Sequence, residues 1–366
     1  MSGASCTASV PSGLWPLIAE PATAPPPADA AMFAETARRF ARLTGAAFAD
    51  SLLRPACERL GLAPLDADEA AKNRLAARFA AAQARRWLAV IDRAGIGTVW
   101  LKGYANAWTL YDDPEMRVQG DLDLLVRADD LDPLVRLLAG HGFRFRPLPA
   151  PAWGAISDAS FMPLVGADGA CNIDLHIHPD CYPAWRSLTT ERVFAAARTT
   201  DADGLAIRVP SPEHGLTLCI TNAAKDKFDV YSLRKVVDAM ALLRRHPGLD
   251  WDALTALARD GHFLRPARTF CALLVALGTA PARIPAGLAA TPDGPAGGVF
   301  RRVVADFEAL FPQALPLTEL FWRELVLAAE PDVALHNLWV RLRGLVRPAT
   351  ALPPGVSPAT GLPRQG

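Results

Sequence analysis

The sequence lacks an excess of charge, a paired-cysteine motif and a long apolar run. Lysine plus arginine and aspartate plus glutamate number 38 each, so a strong general attraction to nucleic acid or to an anionic membrane is not expected. The six cysteines form no C-x-x-C pair, which argues against a zinc ribbon or disulfide scaffold and is typical of a reducing cytoplasm. No apolar run approaches the roughly 18 residues of a transmembrane helix, and the N-terminus has no secretory signal pattern. These absences favour a soluble cytoplasmic protein without a membrane partner.

What is present is the composition of a globular protein, with 51% hydrophobic and 21% charged residues. The 366 residues exceed the usual size of one hydrophobic core, so two or three structural units are expected. Hydrophobic periodicity predicts an α+β fold, in which a small mixed sheet is flanked by N-terminal and C-terminal helical regions. The predicted units are a flexible Pro/Ala-rich tail at 1–30, a helical region at 31–95, an α/β core at 96–210, a helical domain at 211–346 and a flexible Pro-rich tail at 347–366.

Two aspartates stand in a strand-like apolar stretch, "GDLDLLVR", at 120–127. Residues two apart on a strand point to the same face, so Asp121 and Asp123 present adjacent carboxylates while Leu122 and Leu124 face the core. Adjacent like charges repel unless a cation or a shared proton relieves them. Mg²⁺ is commonly held by one or two carboxylates together with substrate phosphates. On this pair alone, a solvated strand end without a function is the stronger interpretation.

Two further segments favour a functional interpretation. "WLKG" is a strand followed by Lys102 and Gly103, and a glycine lets the backbone approach an anion closely. "NIDLHIH" supplies Asp174 on a later strand with apolar neighbours. A glycine turn, paired aspartates on the next strand and a lone aspartate on a further strand resemble the polymerase-β-like nucleotidyltransferase superfamily.

In detail, "LKGYANAWTLYDDPEMRVQGDLDLLV" closely resembles the bacterial family of uncharacterised nucleotidyltransferases. "IDLHIH" is similar to a strand of that family and "LRKVVDAMALL" to one of its helices, so the resemblance covers roughly residues 97–245. The matching positions are Lys102, Gly103, Tyr111, Asp113, Pro114, Arg117, Gly120, Asp121, Asp123, Val126, Asp174, His176, Arg234 and Asp238. The resemblance implies that the small mixed sheet is of nucleotidyltransferase type.

The same resemblance implies transfer of a nucleoside monophosphate from an NTP to an unknown acceptor, which could be a small molecule, a peptide, a protein or RNA. Asp121, Asp123 and Asp174 would be the catalytic residues and would hold two Mg²⁺ ions, which stabilise the attacking and leaving oxygens of an in-line displacement. The implied nucleotide-binding residues are Lys102, Gly103, Arg117, Lys225 and Arg234. His176 and Asp238 would contact substrate or support the site.

The sequence departs from the family at one place. Where the family tends to carry H-x-A-K-H, this chain reads "NAAKD" at 222–226, so Lys225 is kept while Asn222 and Asp226 replace both histidines. A catalytically inactive binding module with the same fold is therefore an alternative. Such a module would bind no nucleotide, or would bind it without turnover.

Two of the implied site residues have structural alternatives. Arg117 could contact phosphate, but an ion pair with Asp113 or Asp121 is the slightly stronger interpretation. Asp238 could belong to the site or form an ion pair with Arg234, four residues earlier on the same helix.

Two alternatives belong to other functional classes. Asp174, His176 and His178 share one face of a strand, and an H-x-H pair on a strand can hold a transition metal, as in a metal-dependent hydrolase. An antitoxin-paired toxin with an RNA acceptor is also compatible with a nucleotidyltransferase fold, although the neutral net charge does not favour it.

Overall fold

The computed structural model describes residues 13–117, 120–145, 164–166 and 171–346. Its central feature is a five-stranded mixed sheet in the order β1-β2-β5-β4-β3. Strands β2 and β5 run parallel, and the other neighbouring pairs run antiparallel. The strands are β1 (Thr98–Trp100), β2 (Leu122–Val126), β3 (Arg144–Phe145), β4 (Leu164–Val165) and β5 (Asn172–His176). A separate two-stranded ribbon is formed by β6 (Arg198–Asp201) and β7 (Ala206–Val209).

Helices precede, cross and follow the sheet. The N-terminal helices are α1 (Leu14–Ala19), α2 (Ala30–Thr44), α3 (Ala46–Arg59) and α4 (Ala67–Arg93). Those between the strands are α5 (Lys102–Leu110), α6 (Ala128–Gly140) and α7 (Thr190–Ala196). The C-terminal helices are α8 (Pro212–Lys225), α9 (Leu233–Arg245), α10 (Trp251–Asp260), α11 (Leu264–Ala276), α12 (Ala286–Ala289), α13 (Gly294–Glu308), α14 (Leu317–Arg323), a π-helical turn at Glu324–Ala328 and α15 (Pro331–Val346). The α+β fold with a small mixed sheet, predicted from the sequence, is confirmed.

The alternation of side chains along β2 separates a core face from a polar face. Leu122, Leu124 and Val126 are buried in one apolar cluster with side chains of α4 and α6. The opposite face of β2 carries Asp123, while Leu125 beyond it is covered by α7 and α8. The aspartate end of this second face is therefore the part of the central strands that opens into a cavity.

The N-terminal and C-terminal helices share one apolar core. Helices α1, α2 and α3 pack with α8, α9, α11 and α13 in a single cluster of buried side chains. The two predicted helical regions therefore meet across one interface, although they are far apart in the sequence. The predicted unit boundaries themselves stay predictions.

Part of the tail that the sequence predicted to be flexible, at 1–30, forms the buried helix α1. Four large side chains of this short helix are buried: Leu14, Trp15, Leu17 and Ile18. The Trp15 indole N–H also donates a hydrogen bond to the carbonyl oxygen of Phe307, at 2.9 Å. Burial of one such side chain contributes about 1.5–3 kcal/mol, so these residues outweigh the Pro- and Ala-rich composition around them. The tail predicted at 347–366 lies outside the described residues.

In the described ranges, no helix combines the length and the apolar character that crossing a bilayer requires.

Candidate functional site

Two carboxylates lie side by side on the central strands. Asp123 of β2 and Asp174 of β5 are register partners in the parallel pair. His176 lies two residues further along β5 and therefore on the same face as Asp174. Candidate ligand atoms of these three side chains lie within 4.8 Å of one another. The arrangement is a compact Asp-Asp-His group that could hold a metal ion.

Asp121 occupies a different place from the one that strand alternation suggested. Strand β2 begins at Leu122, so Asp121 precedes the strand and its side chain is exposed. It lines the same cavity as Asp123 and Asp174, but the compact group includes His176 in its place. The sequence suggested His176 as a supporting residue and did not suggest that its ring lies this close to Asp123.

Asp123 is contacted by two nitrogen atoms at the same oxygen. Lys102 Nζ and His176 Nε2 each lie 2.8 Å from Asp123 Oδ1. Because an ionised carboxylate only accepts hydrogen bonds, His176 Nε2 carries the proton in this contact. Burial alone would raise the pKa of Asp123, but Lys102 and His176 outweigh it and hold this pKa well below its usual range. Asp123 is therefore a carboxylate anion at neutral pH.

Strand register explains why Lys102 reaches Asp123. Trp100 of β1 is opposite Leu124 of β2, and the next residue, Leu101, donates its backbone N–H to the Asp123 carbonyl oxygen at 2.9 Å. Lys102 then begins α5 with a φ of +52°, in the left-handed region that few residues other than glycine adopt. Burial alone would lower the pKa of Lys102, but the Asp123 carboxylate outweighs it and the pKa is raised. Lys102 is therefore a cation.

The carboxylates line a cavity of about 690 Å³. Its other walls come from α5, α8 and α9, and the end of α2 borders it through Arg42 and Leu43. The volume lies within the usual range of about 300–1,000 Å³ for small-molecule sites. Six side chains that line the cavity are cationic: Arg42, Lys102, Arg117, Lys225, Arg234 and Lys235. A cavity with carboxylates on one wall and cations on the others suits an anionic ligand that binds together with a metal ion.

Arg117 and Asp238 form a buried ion pair in the cavity wall. Arg117 Nη2 donates to Asp238 Oδ2 at 2.6 Å, and the two side chains are 8% and 3% exposed. Asp238 also accepts from Tyr111 Oη at 2.6 Å and from Asn106 Nδ2 at 2.9 Å. Burial and the neighbouring Asp238 raise the pKa of Tyr111, so its hydroxyl stays protonated and donates. The network joins α5 and the segment that follows it to α9.

Two alternatives that the sequence left open concern Arg117 and Arg234. The guanidinium of Arg117 contacts Asp238, a partner that the sequence did not suggest, whereas the carboxylate of Asp113 pairs with Arg74. Arg234 and Asp238 form no ion pair among the described residues. Instead, Arg234 Nη2 donates to the Thr44 carbonyl oxygen at 2.6 Å, and burial lowers the pKa of Arg234.

The "NAAKD" segment is at the C-terminal end of α8. Lys225 is the last residue of the helix and lines the cavity, as does Asn222. Asn222 is buried, and its Nδ2 donates to the Leu218 carbonyl oxygen at 2.9 Å. The Asp226 carboxylate accepts from Lys235 Nζ. Asn222 and Asp226, where the sequence departs from the pattern it resembles, therefore have structural partners of their own.

Asp180 is a residue that the sequence interpretation missed. It follows β5 and is buried, where it accepts hydrogen bonds from the Thr221 hydroxyl and the Cys181 backbone N–H. Its charge also acts to raise the pKa of Lys102. The available signal was the position of Asp180 directly after "IDLHIHP", at the end of an acidic strand.

His178 lies apart from the Asp-Asp-His group. Its ring stacks on Trp185 with centroids 5.1 Å apart, and both side chains line a separate groove with Ala128 and Thr189. Within the described ranges, the compact group pairs Asp174 and His176 with Asp123 and does not include His178. This geometry does not favour the hydrolase alternative, which relied on His178.

Comparisons with known proteins bear on the family to which the chain belongs. The chain is similar in structure to an antigenic nucleotidyltransferase-like protein from Paracoccidioides brasiliensis, with 16% sequence identity and a TM-score of 0.30, over 50% of this chain and 87% of that one. No curated protein matches the sequence. Residues 63–278, more than half of the chain, match the family described as uncharacterised nucleotidyltransferase. The matched segment contains the Asp-Asp-His group and most of the cavity wall. The chain therefore belongs to the uncharacterised nucleotidyltransferase family.

Proposed function

We propose that the protein transfers a nucleoside monophosphate from an NTP to an acceptor in a Mg²⁺-dependent reaction, as a member of the polymerase-β-like superfamily. The observation that carries the proposal is the position of Asp123 and Asp174, side by side at the wall of a cavity that is otherwise rich in cations. Two adjacent carboxylates favour a bound cation, and the basic walls favour a polyphosphate. The family assignment independently supports nucleotidyl transfer.

The side chains present fit a divalent metal ion. Carboxylate oxygens are the ligands that Mg²⁺ prefers, and one or two of them together with substrate phosphates are a common set. Asp123 and Asp174 would supply these oxygens, with Asp121 at the edge of the same cavity for a second ion. When bound, two such ions neutralise charge on the attacking and leaving oxygens of an in-line displacement. The hydrogen bond from His176 to Asp123 would orient that carboxylate, as residues behind metal ligands commonly do.

The cationic side chains would bind and position the triphosphate. Lys102 lies at the start of α5 beside Gly103, while Lys225 and Arg234 line the cavity from α8 and α9. Charge neutralisation and positioning are most of what phosphoryl-type transfer requires from a protein. Arg117 has a different role: because it is buried against Asp238, we assign both residues to supporting the cavity wall.

Two finer points of the proposal concern the acceptor and the compartment. The acceptor is a small molecule, a peptide, a protein or RNA. The five cysteines in the described part of the chain form no disulfide bond with one another, which suits a reducing cytoplasm. We therefore expect the reaction to take place in the cytoplasm.

The catalytically inactive binding module remains the second candidate. Asn222 and Asp226 replace the family histidines and are engaged in structural contacts. A protein of this kind would bind a nucleotide through the same cavity but would form no product.

Calorimetric titration with NTPs, with and without Mg²⁺, tests the proposal. The proteins to compare are wild type, Asp123→Asn and a control, Asp260→Asn, which removes an exposed carboxylate at the end of α10. Binding to wild type and to the control should require Mg²⁺, and Asp123→Asn should weaken it at least tenfold. A folded wild-type protein that binds none of the four NTPs would contradict the proposal.

A labelling experiment separates the enzyme from the inactive module. An NTP labelled at the α-phosphate is incubated with the protein and with small-molecule, protein and RNA fractions as acceptors. Transfer of label with release of pyrophosphate supports the enzyme. Mg²⁺-dependent binding without transfer to any fraction favours the binding module.

A further inference from the structure

The Lys102 side chain places a positive charge beside the Asp123–Asp174 carboxylate pair. The Lys102 ammonium and the His176 ring both contact Asp123 Oδ1, each at 2.8 Å. A carboxylate oxygen has about two lone-pair sites, so these two contacts occupy the hydrogen-bonding capacity of Oδ1. A metal ion that binds through Oδ1 has to displace one of them, and one that binds through the other oxygen still lies close to the ammonium charge.

The position of Lys102 is built into the backbone. The backbone hydrogen bond from Leu101 to Asp123 places the start of α5 against β2, and Lys102 adopts a left-handed φ of +52°. Such a conformation is unfavourable for a residue with a side chain and is kept where the surrounding structure over-determines it, often at functional sites. The backbone thus places the start of the Lys102 side chain within reach of Asp123.

Partial burial strengthens the interaction of the Lys102 ammonium with Asp123, and the adjacent cavity offers the ammonium a second anionic partner. The Asp123 side chain is 12% exposed and that of Lys102 is 24% exposed, so solvent screens their interaction less than at a surface. Lysine carries a compact charge on a flexible four-carbon stem. Lys102 and Gly103 also line the cavity that would receive the triphosphate. A small rotation of the stem can therefore exchange a carboxylate partner for a phosphate partner.

We propose that the Lys102 ammonium pairs with Asp123 in the nucleotide-free protein and opposes metal binding there. When a triphosphate enters the cavity, the ammonium pairs with the phosphate and Asp123 becomes available to the metal ion. This inference rests on the proposed function, because it assumes that Asp123 holds a metal ion and that the cavity receives a triphosphate. It predicts that the metal ion and the nucleotide bind together and that free metal alone binds weakly. The physical reason is repulsion between the ammonium and a divalent ion that share one carboxylate.

The test measures Mn²⁺ binding to the nucleotide-free protein by electron paramagnetic resonance, which counts the free ion. Lys102→Met removes the charge at nearly constant length, Lys102→Arg keeps the charge, and Lys72→Met neutralises an exposed lysine of α4 as a control. We expect Lys102→Met to bind Mn²⁺ at least tenfold more tightly than wild type. Lys102→Arg and Lys72→Met should remain within about twofold of wild type. Equal Mn²⁺ affinity in wild type and Lys102→Met overturns the inference.

A second measurement uses only wild type and covers the case in which Lys102→Met does not fold. Calorimetry measures the affinity of inorganic tripolyphosphate with and without Mn²⁺, and binding linkage requires the same coupling factor for both ligands. The inference predicts at least tenfold coupling, and the absence of coupling overturns it.

Failure of the inference and failure of the proposed function give different results. If Mn²⁺ and NTP bind wild type together but Lys102→Met has the same Mn²⁺ affinity as wild type, the role proposed for Lys102 is refuted and the metal–nucleotide site stands. If neither Mn²⁺ nor the Mn²⁺–NTP complex binds any folded variant, both proposals fail.

Discussion

Removal of the Asp238 carboxylate should destabilise the protein strongly. Asp238→Asn removes the carboxylate charge that the buried Arg117 guanidinium contacts at 2.6 Å, where the two side chains are 8% and 3% exposed. Breaking a buried ion pair in this way typically costs about 3–5 kcal/mol. The asparagine oxygen can still accept hydrogen bonds from Tyr111 or Asn106, so we expect a loss near the lower limit, about 3 kcal/mol.

Urea unfolding followed by circular dichroism provides the measurement. The matched control is Asp132→Asn, which breaks an exposed ion pair with Arg136 on α6 and should cost no more than about 0.5 kcal/mol. The double variant Asp238→Leu/Arg117→Met should recover part of the loss, because it removes both charges together. If Asp238→Asn is no less stable than Asp132→Asn, the view of this pair as the structural support of the cavity wall is refuted.

Two further predictions concern the N-terminal helix and the Lys102–Asp123 pair. Trp15→Ala should lower the free energy of unfolding by about 3–5 kcal/mol, because loss of a large buried side chain leaves a cavity in the shared core. The control Trp322→Ala, at a half-exposed position, should lower it clearly less in the same urea experiment. Equal losses would contradict the packing of α1. In the metal-free protein, the lowered pKa of Asp123 contributes stability that is complete above its unfolded pKa of about 3.9 and is lost as the pH falls through the lower folded value. The raised pKa of Lys102 contributes stability that is complete below its unfolded pKa of about 10.4 and is lost as the pH rises through the higher folded value. Urea midpoints measured across pH should therefore fall at both extremes, and Asp123→Asn should flatten both edges; an unchanged profile in that variant would show that the pair does not control them.

The local pattern of the sequence was sufficient to predict much of the sheet and its polar face. Alternation along "GDLDLLVR" predicted that Leu122 and Leu124 face the core, which the structure confirms. Hydrophobic periodicity also predicted helices before the sheet, and α4 is one of them: it begins at Ala67, with the Asp66 carboxylate accepting from the Glu69 backbone N–H at 3.1 Å. These features follow from side-chain periodicity and end capping, which act within a few residues of the chain.

The partners of the charged residues could not be read from local pattern. The parallel register of β2 and β5 decides that Asp123 lies beside Asp174, and His176 reaches Asp123 as a result. The packing of α9 against α5 decides that Asp238 pairs with Arg117, 121 positions away, although Arg234 is four residues away on the same helix. Strand register and helix packing are set by contacts between distant segments, and the burial of each charge then selects its partner. Amino-acid types and their spacing thus determined which residues were available for the site, whereas the long-range packing of the chain decided which of them meet.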